Sequence, residues 1–474
     1  MQSQRVQKPP VVETTDAFLG PNQNYESVTA KIGNIVLTPL RRTPWGWPVG
    51  FVLAGIGLLV YLYSLVVLFS VGVGIWGINI PIAWGFDIIN FVWWIGIGHA
   101  GTLISAILLL FRQDWRTSIN RAAEAMTIFA VACAGIYPLI HTGRPWLDYW
   151  LLPYPGTLGM WPQFRSPLEW DVFAISTYAT VSVLFWFIGL IPDLASLRDR
   201  ATNIWVRRFY GLLSLGWRGG ARDWNRYEMV SLILAGLSTP LVLSVHSIIS
   251  FDFAVSQLPG WHVTVFPPYF VAGAVYCGFA MVINLLVPIR RWFGLHSLIT
   301  MKHFDLMGQV MLASGLVVAY GYVSEMFYAW YSANIYEYFL IVNRTVGPYA
   351  WSYWALIAFN IVIPQLLWFK RFRTNLPLLF FISICINIGM WFERWVIVVL
   401  SLHRDFLPSS WDTYTPSVWD WATYIGSFGL FFFLFFLFIR LLPMISIFEV
   451  RDLLHKTGGH HGQDHGDHGH GSKA

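Results

Sequence analysis

The chain has 474 residues, of which 56% are hydrophobic and 18% aromatic against only 12% charged, with a formal net charge of +5. Soluble domains carry about 25% charged residues, so half that share argues that lipid is the solvent. It excludes a soluble enzyme, a nucleic-acid reader and a disordered scaffold. The three cysteines, Cys133, Cys277 and Cys385, each lie in an apolar run with no Cys-x-x-Cys spacing, so this chain is expected to bind no iron–sulfur cluster and no attached haem.

Residues 1–44 are polar and lack the apolar core of a signal peptide, and are expected to stay as an uncleaved cytoplasmic tail. A window of about 19 residues, enough to cross about 30 Å of hydrocarbon, predicts ten spans. They run Trp47–Ile75, Phe86–Phe111, Ala122–His141, Leu168–Ile191, Met229–Phe251, Pro267–Ile289, His303–Trp330, Tyr349–Lys370, Leu376–Leu402 and Trp419–Leu442. Positive charge orients them, because retained loops hold the Lys and Arg. Twenty-five of the thirty lie in the two terminal segments and in the connections after spans 2, 4, 6 and 8; the alternate connections hold Arg144, Arg165, Arg344 and Arg404, and Arg394 lies within a span. This alternation is expected to place both termini in the cytoplasm. The tryptophans and tyrosines fit belts at the two interfaces.

The expected fold is an all-α integral membrane protein with a membrane domain over 45–450. Spans 2–5 (84–252) and 6–9 (267–402) read as two tandem four-helix bundles flanked by spans 1 and 10, on a weak repeat that sets Gly135 and Tyr137 against Gly321 and Tyr322, and Trp170 against Trp351. The basic, aromatic stretch from Thr202 to Arg218 suits a helix lying in the interface. Residues 451–474 form a second cytoplasmic tail, whose run from Gly458, with His460, His461, His465, His468 and His470, reads as disordered.

Ionisable groups at membrane depth cost about 2.5–3.5 kcal/mol each on insertion scales and so mark candidate sites. Sorted by depth, an outer group holds Asp87, His141, Asp171, Asp252 and Glu325, with Glu393 and Arg394 about 12 Å below the outer end of span 9. An inner group holds Glu124, His303 and Asp305, with His99 and His246 between the two. Asp87, Glu169 and Asp193 are equally well read as helix caps or as groups reaching toward water. His141 and Asp171 close spans 3 and 4 at one level, so a carboxylate is expected to face the imidazole, fixing its tautomer and raising its basicity for proton abstraction from a hydroxyl. Glu393 and Arg394 point about 100° apart on one helix, so Arg394 is expected to turn to a partner elsewhere, with Asp252 the candidate. The second bundle has Ser352 where the first has Asp171, and Phe327 near the place of His141, so a single site is expected, in the first bundle. Glu124, His99, His246, His303, Asp305, Glu325 and Glu393 are candidates for a proton path, with hydrogen bonding between packed helices the plainer reading.

Several stretches resemble the NrfD/PsrC family of polytopic membrane subunits. His141-Thr-Gly-Arg-Pro-Trp146 is similar to the Gly-Arg-Pro turn after the family's third span, and Ser166-Pro-Leu-Glu-Trp-Asp171 to the opening of its fourth. Asn90-Phe-Val-Trp-Trp-Ile-Gly-Ile-Gly-His-Ala-Gly-Thr-Leu-Ile-Ser105 resembles span 2 of the larger branch found in bacterial alternative complex III, and ten spans favour that branch and its quinol-binding subunit. The resemblance implies a menaquinol site near the outer face, carried over onto His141 and Asp171 and further onto Asp252 and Arg394. It also implies an iron–sulfur subunit on that face, multihaem c-type cytochromes and a paralogous NrfD-like membrane subunit. The expected function is menaquinol oxidation within a respiratory or photosynthetic electron-transfer complex, with protons released outward and no metal held by this chain. The rivals are a proton-conducting or secondary-transport subunit without its own quinol site, and a b-type cytochrome using His99 and His246.

Overall fold

A computed structural model describes residues 17–151 and 166–461. Among the described residues there are helices and turns and no strand, and ten helices are long and apolar enough to cross a bilayer. They are α1 (Gly46–Val71), α2 (Phe86–Leu110), α3 (Asn120–His141), α4 (Pro167–Arg200), α5 (Ala221–Ala254), α6 (Phe266–Trp292), α7 (Met301–Tyr331), α8 (Ala350–Trp368), α9 (Leu376–Leu400) and α10 (Val418–Leu441). Ten is even, so the described segments before α1 and after α10 share one face, the terminal face, with the connections after α2, α4, α6 and α8. The remaining connections share the opposite face.

Each helix contains the core of a predicted span, and the largest departures have one cause. α4 and α5 run for 34 residues each, about 50 Å at 1.5 Å per residue. Hydropathy falls where Arg198, Arg200, Arg222 and Arg226 begin, but arginine is a good helix former and the backbone ladder continues through it.

α2 is the centre of the molecule. Every residue from Phe86 to Thr102 is buried, against α3, α5, α6, α9 and α10. It lies closest to α3, because a Cβ on Gly101 would collide with the Ala123 carbonyl and the Thr127 hydroxyl, and that hydroxyl donates to the Gly98 carbonyl. α3 also packs on α4, and α4 on α5; α6 packs on α7 and α9, with α8 against α9.

Among the described residues, four further α-helices have ten or more residues. Residues 25–37, within the stretch read as a polar tail, form the helix Tyr25–Leu37, capped by Asn24 accepting from the Ser27 N–H at 2.8 Å. Its buried Val28, Ile32, Ile35 and Val36 share one helical face, a stripe that a window of membrane length averages away. Ile204–Leu213 is the expected amphipathic helix, with the Arg208 guanidinium over the Trp205 ring at 5.4 Å. Ile335–Val346 is its unforeseen counterpart on the opposite face. The helix Ile447–His461 is tied down by Asp193 of α4, whose Oδ1 accepts from the Ile447 and Phe448 N–H groups at 3.1 and 3.2 Å, and by a 3.2 Å ion pair from Arg116 to Glu449. It continues through Gly458–His461, so the backbone there is helical where a disordered tail was expected. His465, His468 and His470 lie outside the described residues, as do Arg5, Lys8, Arg165 and Lys473 of the charge count.

α1 and α10 pair along their length, with Trp47 Nε1 donating to the Phe436 carbonyl at 3.0 Å. Their backbones touch where a Cβ on Gly57 would lie 2.8 Å from the Cα of Gly429. Gly429→Leu should therefore drive the pair apart, at a cost of about 1–3 kcal/mol or more. The melting midpoint of the purified chain in detergent should fall, whereas Gly55→Leu, whose Cβ meets nothing within 4 Å, should leave it unchanged.

Candidate functional site

Between α3 and α4, toward the opposite face, the helices leave a cavity of about 490 Å³. Its walls are aliphatic and aromatic, with Ile88 and Phe91 from α2, Ile128, Ala132 and Leu139 from α3, and Leu168, Ile175 and Ala179 from α4. The gap follows from small residues on the facing helices: a Cβ on Gly135, which also lines it, would meet nothing within 4 Å. Two lining residues, Leu139 and Val183, are 47% and 43% exposed, so the cavity opens onto the apolar flank. Among the described residues, the ionisable groups that line it are His141 and Asp171.

These two line one cavity, but they are not each other's partners. His141 Nδ1 contacts Asp87 Oδ2, and the other oxygen of buried Asp87 accepts from the Gly85 N–H at 3.2 Å. The reason is connectivity: α2 begins and α3 ends at the same face, so Asp87 in the first turn of one meets His141 in the last turn of the other. A carboxylate at Nδ1 assigns the neutral ring as the Nδ1–H tautomer, leaving the Nε2 lone pair free to accept a proton. Asp148, in the turn Pro145–Leu151 after α3, accepts from the Thr142 hydroxyl at 2.8 Å, and burial raises its pKa above the ordinary carboxylate value.

Asp171 meets Asp252 of α5 instead, within hydrogen-bonding reach. Both Asp171 oxygens and Asp252 Oδ1 are otherwise without partners. Two carboxyls can bond one another only when one carries a proton, so a bond between these two at the cavity wall requires one of them to be protonated. Glu169, two residues earlier on α4, is also buried with neither oxygen partnered. Asp87 and Glu169 are the members that sequence reasoning undervalued, and for Asp87 the shared face of adjacent span ends was the available signal.

Arg394 does not reach Asp252. It pairs with its neighbour Glu393, because the long guanidinium stem folds back along the helix, and it lies over the Phe270 ring at 4.3 Å. Glu393 also accepts from the Tyr322 hydroxyl, which takes a 2.9 Å bond from Asn360 Nδ2. Glu325 is paired with Arg344 at 3.1 Å. The cavity among Tyr322, Glu325, Arg344 and Glu393 is only about 20 Å³, room for about one water.

His99 and His246 lie deep, with ring centroids 4.5 Å apart. His99 Nδ1 bonds the Ile95 carbonyl at 2.6 Å, while its Nε2 and both nitrogens of His246 have no partner. The expected inner group divides into two sets of contacts. Glu124 takes a 3.0 Å bond from Arg121, which also lies 3.7 Å from Asp193, beside the C-terminal helix. His303 Nδ1 accepts from the Thr300 N–H at 3.1 Å, capping α7, and Asp305 pairs with Arg373 at 2.7 Å. Among the described residues no group of three or more His, Cys, Asp or Glu is arranged to hold a metal.

The molecule is thus a multi-pass helical membrane protein with a laterally open apolar cavity lined at one end by an imidazole and a carboxyl. The chain belongs to the NrfD family: residues 75–404 match the family model described as "Polysulphide reductase, NrfD". It is 21% identical over 424 residues to a selenate reductase subunit of Mesobacillus selenatarsenatis, covering 85% of this chain and 94% of that protein. It is 24% identical over 246 residues to a putative dimethyl sulfoxide reductase membrane subunit of Halobacterium salinarum, covering 49% of this chain and 52%, about half, of that protein.

If Asp171 and Asp252 share a proton, their replacements must be coupled. An asparagine at either place can donate to the remaining carboxylate, so Asp171→Asn and Asp252→Asn should each leave stability unchanged or raised. A double-mutant cycle in chemical denaturation should return a coupling of about 0.5–3 kcal/mol; additive effects would separate the two residues.

Proposed function

We propose that this chain is the quinol-oxidising membrane subunit of a respiratory or photosynthetic electron-transfer complex. One observation carries the reading: an apolar cavity of about 490 Å³, open to the flank, reaches both His141 and Asp171. That volume suits a ring-sized ligand entering from lipid, and oxidising a quinol to a quinone requires acceptors for two protons and two electrons. His141 Nε2 takes one hydroxyl proton, while Asp87 holds the ring and stabilises the imidazolium. The Asp171–Asp252 pair takes the other and passes it toward the opposite face. Basic groups placed at the hydroxyls lower the barrier by positioning and general-base catalysis, without covalent chemistry. The family match, and two relatives that are each named as one subunit of a reductase, support a partner that takes the electrons.

The finer reading follows from the resemblance. The quinol is menaquinol, and the partner is an iron–sulfur subunit on the opposite face, which is the outer face of a bacterial inner membrane with both termini cytoplasmic. Multihaem c-type cytochromes and a paralogous NrfD-like subunit complete an assembly of the alternative complex III kind.

In the assembled complex, His141→Gln and Asp171→Asn should each lower quinol oxidation by about 100-fold or more, with the set of assembled proteins unchanged. Asp87→Asn should give an intermediate loss, because His141 keeps its place and loses its countercharge. Gly135→Leu projects into the cavity and should raise KM for quinol with little change in melting midpoint. Wild-type turnover in both the His141 and Asp171 variants would remove the site.

A further inference from the structure

At the terminal face a separate cavity of about 880 Å³ lies among the end of α2, the start of α5 and the C-terminal helix. Its membrane side is apolar, with Leu109 and Leu110 from α2, Leu232 from α5 and Phe448 from the C-terminal helix. Its outer side is charged, beyond the last apolar turn of α2.

The charges do not all cancel within the protein. Arg116 pairs with Glu449 at 3.2 Å, and Lys456 pairs with Asp452 at 2.7 Å and lies 3.9 Å from Asp114. Among the described residues, that leaves Arg112, Arg451 and Glu228 lining the cavity without an ion-pair partner. Arg451 lies over the Tyr25 ring at 5.2 Å, a contact that leaves its charge uncompensated. One ammonium cannot neutralise both Asp452 and Asp114, so the uncompensated set is two guanidiniums and two carboxylates, Glu228 and the more distant Asp114, beside an apolar groove. This balanced set is the complement of a zwitterionic phosphodiester carrying a primary amine and two hydrocarbon chains.

We propose that this cavity is a phospholipid site selective for an ethanolamine headgroup. Arg112 and Arg451 hold the phosphate by charge-assisted hydrogen bonds, Glu228 receives the ammonium group, and the acyl chains run down Leu109, Leu110 and Leu232. Glu228 disfavours lipids of purely negative headgroup, which a wholly basic pocket would prefer. The bound lipid joins α2, α5 and the C-terminal helix, three elements that meet there around a void, and so stabilises the folded chain by mass action.

The test uses the full chain purified in detergent and stripped of lipid by prolonged washing. Phosphatidylethanolamine, phosphatidylglycerol or inorganic phosphate is then added back, with the melting midpoint and the lipid retained per chain as readouts. Phosphatidylethanolamine should raise the midpoint most and inorganic phosphate should have no effect. The double variant Arg112→Glu, Arg451→Glu should lose both the retained lipid and the response, and Glu228→Gln should make the two lipids equivalent. Leu232→Trp, which fills the groove and leaves every charge in place, should also abolish retention. The proposal is overturned if the double variant keeps wild-type lipid content, if inorganic phosphate reproduces the stabilisation, or if the native chain prefers phosphatidylglycerol.

Discussion

In hydrocarbon a carboxylate, an imidazole or a guanidinium persists only where something else in the protein answers it. Most of this molecule meets that demand in full. Arg121 is answered by Glu124 and Asp193, Glu325 by Arg344, Glu393 by Arg394 and Tyr322, and Asp305 by Arg373. The exceptions are the deep imidazoles of His99 and His246, Glu169, and the groups at the cavity between α3 and α4. There His141 keeps one nitrogen free, and Asp171 and Asp252 have only each other. Breaking a buried pair is costly, so groups left half-answered beside an open cavity are placed to receive something from outside the chain.

α2 sets that geometry. Its first turn supplies Asp87, its middle supplies His99, and α3, packed against Gly98 and Gly101 farther along, ends with His141 beside Asp87. On its other side α3 carries Ala132 and Gly135 toward α4, where Ile175 and Ala179 do not fill the space. Pro138 lies in the same stretch and lacks the N–H that would bond the Ala134 carbonyl. The meeting of α2 and α3 at this face and the loose packing toward α4 therefore give both the oriented imidazole and the room in front of it.

What the sequence made legible was depth. Ten apolar runs gave ten helices, and the order of His141, Asp171, Asp252 and Arg394 along their spans placed them toward one face. What it left hidden was rotation about each helix axis, which packing decides. His141 turned to Asp87 rather than Asp171, Asp171 met Asp252, and Arg394 folded back on Glu393, each a choice among groups at similar depth. Short amphipathic helices were hidden for a different reason. Tyr25–Leu37 and Ile335–Val346 each bury one stripe of side chains, and a window as long as a membrane span dilutes such stripes among polar neighbours.

The central claim is that quinol occupies the cavity between α3 and α4, and a photoreactive quinone analogue tests it most directly. After illumination of the assembled complex and digestion, the account predicts adducts within residues 128–142 and 168–183, displaced by excess quinone and diminished by Gly135→Leu. Adducts confined to the second half of the chain, around Tyr269, Tyr322 and Tyr353, would contradict it.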